Sequence, residues 1–171
     1  MGIVRITSGI LKGRNIHTPG GKTHPMGERE RLALFNMIVE YLPGANLLDA
    51  FAGSGALGIE AISRGAKEVI FIEKDPKACR TIRENLEELD RKGKIFAGKV
   101  FDFKTSELYD LIITDPPYDK FEVESIEYLT SFLKPGGILV LSHPRESVGI
   151  NGVKLIKTKR YAAAHLSVYV K

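Results

Sequence analysis

Short apolar runs alternate with amphipathic segments along most of the chain, which is the pattern of β-strands that alternate with α-helices. The apolar runs predict strands at 46–51, 68–73, 94–98, 108–114 and 137–142. The amphipathic segments predict helices at 28–41, 56–64, 76–91 and 122–133. Alternating strands and helices build a mainly parallel sheet covered on both faces, so we expect a doubly wound α/β fold.

The two ends of the chain have a different pattern. Residues 4–19 alternate loosely and contain Gly9 and Gly13, which indicates a short β-hairpin or arm. Residues 153–158 and 164–170 predict a closing pair of antiparallel strands. We therefore expect a basic arm at 1–26 and a main domain at 27–171, packed as a single compact domain.

Composition excludes several classes of protein. The chain has 171 residues and 43% hydrophobic content, which suits one globular domain, and no apolar run has the length of a membrane span. The single cysteine, Cys79, cannot form an internal disulfide, so we expect a cytoplasmic protein. The four histidines match no metal-ligand spacing, so no metal site is expected.

Charge is distributed unevenly along the chain. Residues 1–27 carry four bases and residues 147–171 carry five, with no acid in either segment, whereas the middle holds 16 bases and all 21 acids. Basic ends suit a polyanionic partner, although they also serve solubility. We predict that Arg5, Lys12 and Arg14 in the arm contact nucleic acid phosphates.

A glycine-rich turn follows the strand predicted at 46–51 and opens the next helix. Gly53, Gly55 and Gly58 spell G-x-G-x-x-G, and Glu73 comes 20 residues after Gly53. Glycines let the backbone approach a ligand closely, and the helix N-terminus offers free N–H groups to an anion. This pattern alone fits a dinucleotide or S-adenosylmethionine, or a tight turn with no ligand.

Acidic residues follow successive strands and distinguish the two ligands. Asp49, Glu73, Asp102 and Asp115 all come at predicted strand ends, which is where α/β sheets bind ligands. An acid-rich site suits the sulfonium and ammonium of S-adenosylmethionine better than a pyrophosphate. The acids therefore favour S-adenosylmethionine as the cofactor.

The segment Asp115-Pro116-Pro117-Tyr118 follows the strand predicted at 108–114. Two prolines fix φ and remove two N–H donors, which leaves a stiff loop with outward carbonyl acceptors. These acceptors, the Asp115 carboxylate and the Tyr118 ring suit a planar base that carries an exocyclic amine and has left its helix. We predict that these four residues are catalytic, although Asp-Pro and Pro-Pro also simply end strands.

Two motifs carry a resemblance to a known family. The pair F51-A-G-S-G55 and D115-P-P-Y118, in that order, resembles amino-methyltransferases that act on nucleic acid bases. The segments 49–66 (DAFAGSGALGIEAISRGA), 5–14 (RITSGILKGR) and 34–36 (LFN) resemble the bacterial 16S rRNA guanine-N2 methyltransferases of the RsmD family. The resemblance covers nearly the whole chain.

The resemblance implies a Rossmann-like methyltransferase fold with a seven-stranded, mostly parallel sheet, one antiparallel strand and a small N-terminal hairpin. It also implies S-adenosylmethionine as methyl donor and small-subunit rRNA, free or in a pre-assembled small ribosomal subunit, as partner of a monomeric enzyme. The predicted donor-binding residues are Asp49, Phe51, Gly53, Ser54, Gly55, Leu57, Glu73 and Asp102. The chain departs from the family at His24-Pro25-Met26-Gly27, which stand where an Arg-Pro-Thr run is usual.

Three alternatives stay open at the level of sequence. A DNA adenine-N6 or cytosine-N4 methyltransferase would use the same Asp-Pro-Pro-Tyr loop. A small nucleotide-dependent oxidoreductase is supported by the glycine turn alone, and a non-catalytic RNA-binding module would need neither Asp115 nor Glu73. We expect Cys79 to be a packing residue and His143 to lie in a turn.

Overall fold

A computed structural model of the chain describes residues 2–20, 26–161 and 164–171. The strands are β1 (Gly2–Arg5), β2 (Asn15–Thr18), β3 (Asn46–Ala50), β4 (Glu68–Glu73), β5 (Lys94–Ala97), β6 (Tyr109–Thr114), β7 (Leu133–His143), β8 (Lys154–Tyr161) and β9 (Ala164–Val170). The helices are α1 (Glu28–Met37), α2 (Ala56–Ser63), α3 (Pro76–Glu88) and α4 (Val123–Thr130). Short 3₁₀ turns occupy Val39–Tyr41, Val100–Asp102 and Tyr118–Lys120.

The strands form the two sheets that the sequence predicts. β1 and β2 pair as an antiparallel hairpin, and the other seven strands form one sheet in the order β5-β4-β3-β6-β7-β9-β8. Strands β3 to β7 pair in parallel, and β9 runs antiparallel between β7 and β8. The predicted doubly wound sheet with one antiparallel strand is thus confirmed. Its order reverses between β3 and β6, which is the switch point where such sheets bind ligands.

Successive side chains of a strand point to opposite faces of the sheet, so apolar residues form a hydrophobic core on both faces. We call the face that carries Leu47, Phe71 and Ile113 face A; it packs against α1, α2 and α3. Face B carries Leu48 and Ile112 and packs against α4 and the loops around it. No helix within the described ranges has both the length and the apolar character needed to cross a membrane.

Several predicted boundaries differ by a turn. The first helix ends at Met37 and continues as the 3₁₀ turn, and α3 ends at Glu88 instead of residue 91. The helix predicted to residue 133 ends at Thr130, because Leu133 pairs with Tyr109 and begins β7. His143, predicted in a turn, is instead the buried last residue of β7. His24 and Pro25 lie outside the described residues.

A buried carboxylate fastens the N-terminal hairpin to the main domain. Glu60 of α2 is fully buried and accepts hydrogen bonds from the Thr7 N–H (2.9 Å), the Thr7 hydroxyl (2.7 Å) and the Ser8 N–H (3.0 Å). Arg64 Nε also donates to it at 2.9 Å, and Arg31 Nε lies 3.6 Å away. A buried charge needs such partners, so the described part of the arm and α2 form one packed unit.

Candidate active site

The turn between β3 and α2 has the conformation that its glycines predict. Phe51 has a φ of 62°, in the left-handed region that costs a residue with a Cβ about 1 kcal/mol. Gly58 allows a close approach, because a Cβ there would lie 2.2 Å from the Phe71 ring and 2.9 Å from Asp49 Oδ2. Leu57 and Ser54 are buried beneath the turn. The turn therefore places the N-terminus of α2 at the edge of the sheet.

Asp49 lies under this turn with one oxygen unsatisfied. Its side chain is 1% exposed, and Oδ2 accepts the Gly58 N–H at 2.8 Å. Oδ1 is buried and has no hydrogen-bond partner among the residues that the structure describes. The pKa of Asp49 is raised to about 8, chiefly by burial; the Gly58 hydrogen bond opposes this rise, and the nearby charges of Asp115 and Glu73 add to it. A buried acceptor without a partner indicates a place for a donor group from a ligand.

Glu73 closes the other side of the turn from the end of β4. Its Oε2 accepts the Gly53 N–H and its Oε1 accepts the Asp75 N–H, both at 2.8 Å. Glu73 thus hydrogen bonds to a residue that lies 20 positions earlier in the sequence. Cys79 is buried in α3, and its thiol donates to the Glu73 carbonyl at 3.2 Å, which agrees with the packing role expected for it.

Asp115 follows β6, the strand next to β3 on the opposite side from β4. The pKa of Asp115 is raised to about 6, chiefly by burial; the hydrogen bond of the Ser142 hydroxyl opposes this rise, and repulsion from Glu30 adds to it. Register explains the contact with Ser142, since Thr114 and Leu141 are paired and Asp115 and Ser142 come next on each strand. The carboxylates of Asp49 and Asp115 therefore project from face A on neighbouring strands.

The prolines and Tyr118 form the rim of the site. The Tyr118 hydroxyl lies 2.5 Å from Ser142 Oγ, while 37% of the residue stays exposed. The Pro117 carbonyl accepts the Lys120 N–H at 3.0 Å and is therefore not free to face a ligand, contrary to the expectation for both prolines. In the described residues the Pro116 carbonyl has no protein partner. Two acceptors, Asp115 and the Pro116 carbonyl, thus stand beside one aromatic ring.

The structure adds two residues that sequence reasoning missed. Ser142 connects Asp115 and Tyr118, but a serine at the end of an apolar run carries no motif that would reveal it. Glu30 in the first turn of α1 raises the pKa of both Asp115 and Tyr118 by its charge. Glu30 lies far from the Asp-Pro-Pro-Tyr loop in the sequence, so only the folded structure reveals this influence.

Some predicted site residues lie apart from this cluster. Asp102 is exposed in the 3₁₀ turn after β5, two strands from β3. Arg5, Lys12 and Arg14 are exposed, and the loop that joins β1 and β2 packs against the C-terminal ends of α2 and α3. Arg14 Nη2 donates to the Glu88 carbonyl at 3.1 Å. Since α2 has eight residues, this loop lies about 12 Å below the glycine turn.

The charge pattern of the site suits an organic cation. Asp49, Glu73 and Asp115 converge at the carboxyl edge, and a Cβ at Gly53 would meet nothing within 4 Å, so there is open space beside the turn at this residue. Among the described residues, no group of three or more His, Cys, Asp or Glu side chains could hold a metal ion. The arrangement can therefore hold a positively charged ligand beside a loop that accepts amine hydrogens.

Comparisons with known proteins identify the family. A family model described as "Conserved hypothetical protein 95" matches residues 4–170. The chain is 31% identical to a putative rRNA methyltransferase, YlbH, of Bacillus subtilis over 98% of this chain and 99% of that protein. It is 30% identical to ribosomal RNA small subunit methyltransferase D of Haemophilus influenzae, over 85% of this chain and 81% of the relative.

A solved structure supports the same assignment. A putative methyltransferase of Escherichia coli, yhhF, superposes with a TM-score of 0.88 at 27% identity, covering 99% of this chain and 98% of the other. The chain therefore belongs to the RsmD family of S-adenosylmethionine-dependent rRNA methyltransferases.

Proposed function

We propose that the protein transfers a methyl group from S-adenosylmethionine to the exocyclic N2 amino group of a guanine in small-subunit rRNA. The observation that carries this proposal is the position of Asp49 and Asp115 on neighbouring strands. Asp49 offers an unsatisfied buried oxygen, and Asp115 begins a rigid loop with a second free acceptor. The two halves of a methyl transfer, donor binding and amine orientation, thus have their own residues side by side.

The donor fits the residues under the glycine turn. Asp49 Oδ1 would accept from the donor's ammonium, and the α2 N-terminus would face its carboxylate. Glu73 and Asp102 would accept from ribose hydroxyls and the adenine amine, while Phe51, Gly53, Ser54, Gly55 and Leu57 shape the pocket. When bound, S-adenosylmethionine supplies a methyl group made electrophilic by the positive sulfur. The carboxylates around it would hold that positive charge.

The acceptor base fits the loop after β6. The Asp115 carboxylate and the Pro116 carbonyl would each accept one N2–H of the guanine, which draws the nitrogen lone pair away from the ring and toward the methyl carbon. Tyr118 would stack on the flipped base. Asp115 would take the proton that the N2 nitrogen loses once it carries the methyl group. Most of the rate enhancement would come from this positioning.

Identification of the methylated nucleoside tests the proposal. Unmodified small-subunit rRNA and small ribosomal subunits lacking the modification are incubated with labelled donor, digested and analysed. N2-methylguanosine supports the proposal, and the better of the two substrates shows whether free rRNA or the particle is the partner. Detection of N6-methyladenosine or N4-methylcytidine would instead place the enzyme with the related base methyltransferases. Binding of NADH without binding of S-adenosylhomocysteine would contradict S-adenosylmethionine as the methyl donor.

A further inference from the structure

The edge strand β8 carries a dense group of positive charges. Lys154, Lys157, Lys159 and Arg160 lie on its eight residues, and the segment 147–171 contains no acid. β8 pairs with β9 on one side only, so its other edge is free. In the described part of the chain, none of these four side chains forms a salt bridge or a side-chain hydrogen bond. Their charge is therefore available to a partner.

Register places part of this strand in line with the catalytic loop. Lys159 pairs with Leu166, and Leu166 pairs with Ser142, the residue that contacts both Asp115 and Tyr118. Paired residues of neighbouring strands project from the same face, so Lys159 shares face A with Ser142 and Asp115. Three strand spacings separate β6 from β8, or about 14 Å. Successive nucleotides in a stacked nucleic acid strand lie about 3.4 Å apart, so this distance corresponds to roughly four nucleotides.

We propose that β8 binds the phosphates of rRNA beside the target guanine through Lys157, Lys159 and Arg160. The proposal rests on the function proposed above, because it concerns the same substrate. All three residues lie toward the end of β8 that is level with the carboxyl edge of the sheet. Lys157 and Lys159 project from face A, whereas Arg160, which pairs with His165 and through it with His143, projects from face B. By contrast, Lys12 and Arg14 lie at the far ends of α2 and α3.

Edge strands also carry lysines simply to prevent pairing with other sheets. This explanation applies equally to the opposite edge, where Lys92, Lys94 and Lys99 lie on and around β5 and are exposed. These three bases match the three proposed on β8 in number, and β5 lies as many strand spacings from β6 as β8 does. Lys92 and Lys94, however, lie at the start of β5, away from the carboxyl edge that holds Asp115, and Lys94 projects from face B. A comparison of matched variants at the two edges therefore separates a specific interface from general edge protection.

The experiment replaces Lys157, Lys159 and Arg160 with Gln, and in a control protein Lys92, Lys94 and Lys99 with Gln. Each variant has three fewer positive charges than the wild type. We expect the β8 variant to raise the KM for rRNA at least tenfold and to flatten the log–log salt dependence by about 0.7 for each single-stranded phosphate that it no longer binds. The control should change both quantities much less. Affinity for S-adenosylhomocysteine, measured by calorimetry, should be unchanged in both proteins.

Other outcomes would overturn the proposal. Equal effects in the two variants would mean that total charge matters and β8 does not, and an unchanged salt slope in the β8 variant would exclude phosphate binding there. Lys159→Arg and Lys159→Glu serve as a second pair that tests charge at one exposed site if the triple variant unfolds. If the wild type methylates rRNA and these variants bind rRNA normally, the β8 interface is wrong and the proposed function stands. If the wild type fails to methylate rRNA, the proposed function is wrong.

Discussion

The Tyr118 hydroxyl and Ser142 Oγ lie 2.5 Å apart, and this hydrogen bond connects the Asp-Pro-Pro-Tyr loop to the end of β7. Ser142 is fully buried and also hydrogen bonds to Asp115. Because a hydroxyl has one proton, Ser142 can donate to the Asp115 carboxylate only while it accepts from Tyr118. Ser142 therefore links the exposed phenol of Tyr118 to the half-buried carboxylate of Asp115.

Replacing Ser142 with Ala should lower kcat by about tenfold or more, since a hydrogen bond to a charged group contributes about 1.5–3 kcal/mol. The change also removes the interaction that lowers the pKa of Asp115, so the acid limb of the pH–rate profile should move to higher pH. Single-turnover methylation across about pH 5–8 measures both effects. Ser142→Thr keeps the hydroxyl and should restore the wild-type profile, whereas an unshifted profile in Ser142→Ala would show that Ser142 only packs.

Asp115 should act mainly as an acceptor for the amine, and its variants test this role. Asp115→Asn keeps an acceptor oxygen in nearly the same place and should retain measurable activity. Asp115→Ala should lower kcat by about 10²–10³-fold, as expected for one preorganised partner. The assay is single-turnover methylation at saturating donor and RNA, with donor binding as the control. If Asn is as inactive as Ala in a folded protein, the negative charge itself is required.

The wild-type pH profile offers an independent check on Asp115. The pKa of this carboxyl is raised to about 6, and only its ionised form accepts from both the amine and Ser142. Activity should therefore fall as the pH drops below about 6 and level off above it. Asp115→Asn should abolish that limb, and persistence of the limb in this variant would assign it to another group.

Asp49 should make the free protein less stable as the pH rises. Below about pH 4 its carboxyl is protonated in both the folded and unfolded states. Between about pH 4 and 8 the unfolded chain releases this proton while the folded protein keeps it, so the free energy of unfolding falls with rising pH. Asp49→Asn should remove that fall and stabilise the ligand-free protein at about pH 8 by on the order of a few kcal/mol. Urea unfolding at about pH 4.5 and about pH 8 measures the difference, and equal stability of the two proteins at the higher pH would contradict it.

The raised pKa of Asp49 also predicts a proton released on donor binding. The ammonium of S-adenosylhomocysteine favours the ionised carboxylate, so binding near neutral pH should displace a proton from a group whose pKa is about 8 when the ligand is absent. Calorimetry in two buffers of different ionisation enthalpy counts that proton. A binding enthalpy that does not depend on the buffer would mean that the ammonium lies elsewhere.

Lys12 and Arg14 should contribute to RNA binding from the loop of the hairpin. Changing both to Ala should raise the KM for rRNA and flatten its salt dependence by a slope of somewhat under two, with donor affinity unchanged. Arg14 also holds the end of α3 through the Glu88 carbonyl, so part of its effect would be on stability. Lys12→Ala alone therefore serves as the cleaner variant, with thermal unfolding of each protein as the control. An unchanged salt slope would mean that these side chains do not reach RNA.

Sequence patterns predicted the elements whose signals are local. The glycine turn, the loop at Asp115 and the alternation of strands and helices each depend on residues close together in the chain. The strand at 68–73 was predicted with its observed bounds, because Glu68 and Glu73 end an apolar run on both sides. The antiparallel closing pair also agrees with the structure, although its first strand extends to Tyr161.

The remaining features depend on contacts between distant segments. Ser142 gains its role only because β6 and β7 pair, and the Pro117 carbonyl is used by a local turn that two prolines do not predict. Arg31 and Glu60 look like surface charges in the sequence, yet both are buried against each other and the hairpin. Charge type alone cannot predict burial when the partner lies 53 positions away, as Thr7 does from Glu60.

Glu60 gives the protein a thermodynamic link between its first residues and its donor pocket. If the hairpin detached, the Glu60 carboxylate would lose the hydrogen bonds of Thr7 and Ser8, a penalty of about several kcal/mol. The same helix presents its N-terminus to the glycine turn. Detachment of the hairpin and opening of the pocket are thus parts of one cooperative unit, and a ligand that stabilises the turn should slow amide exchange at Thr7 and Ser8 without touching them.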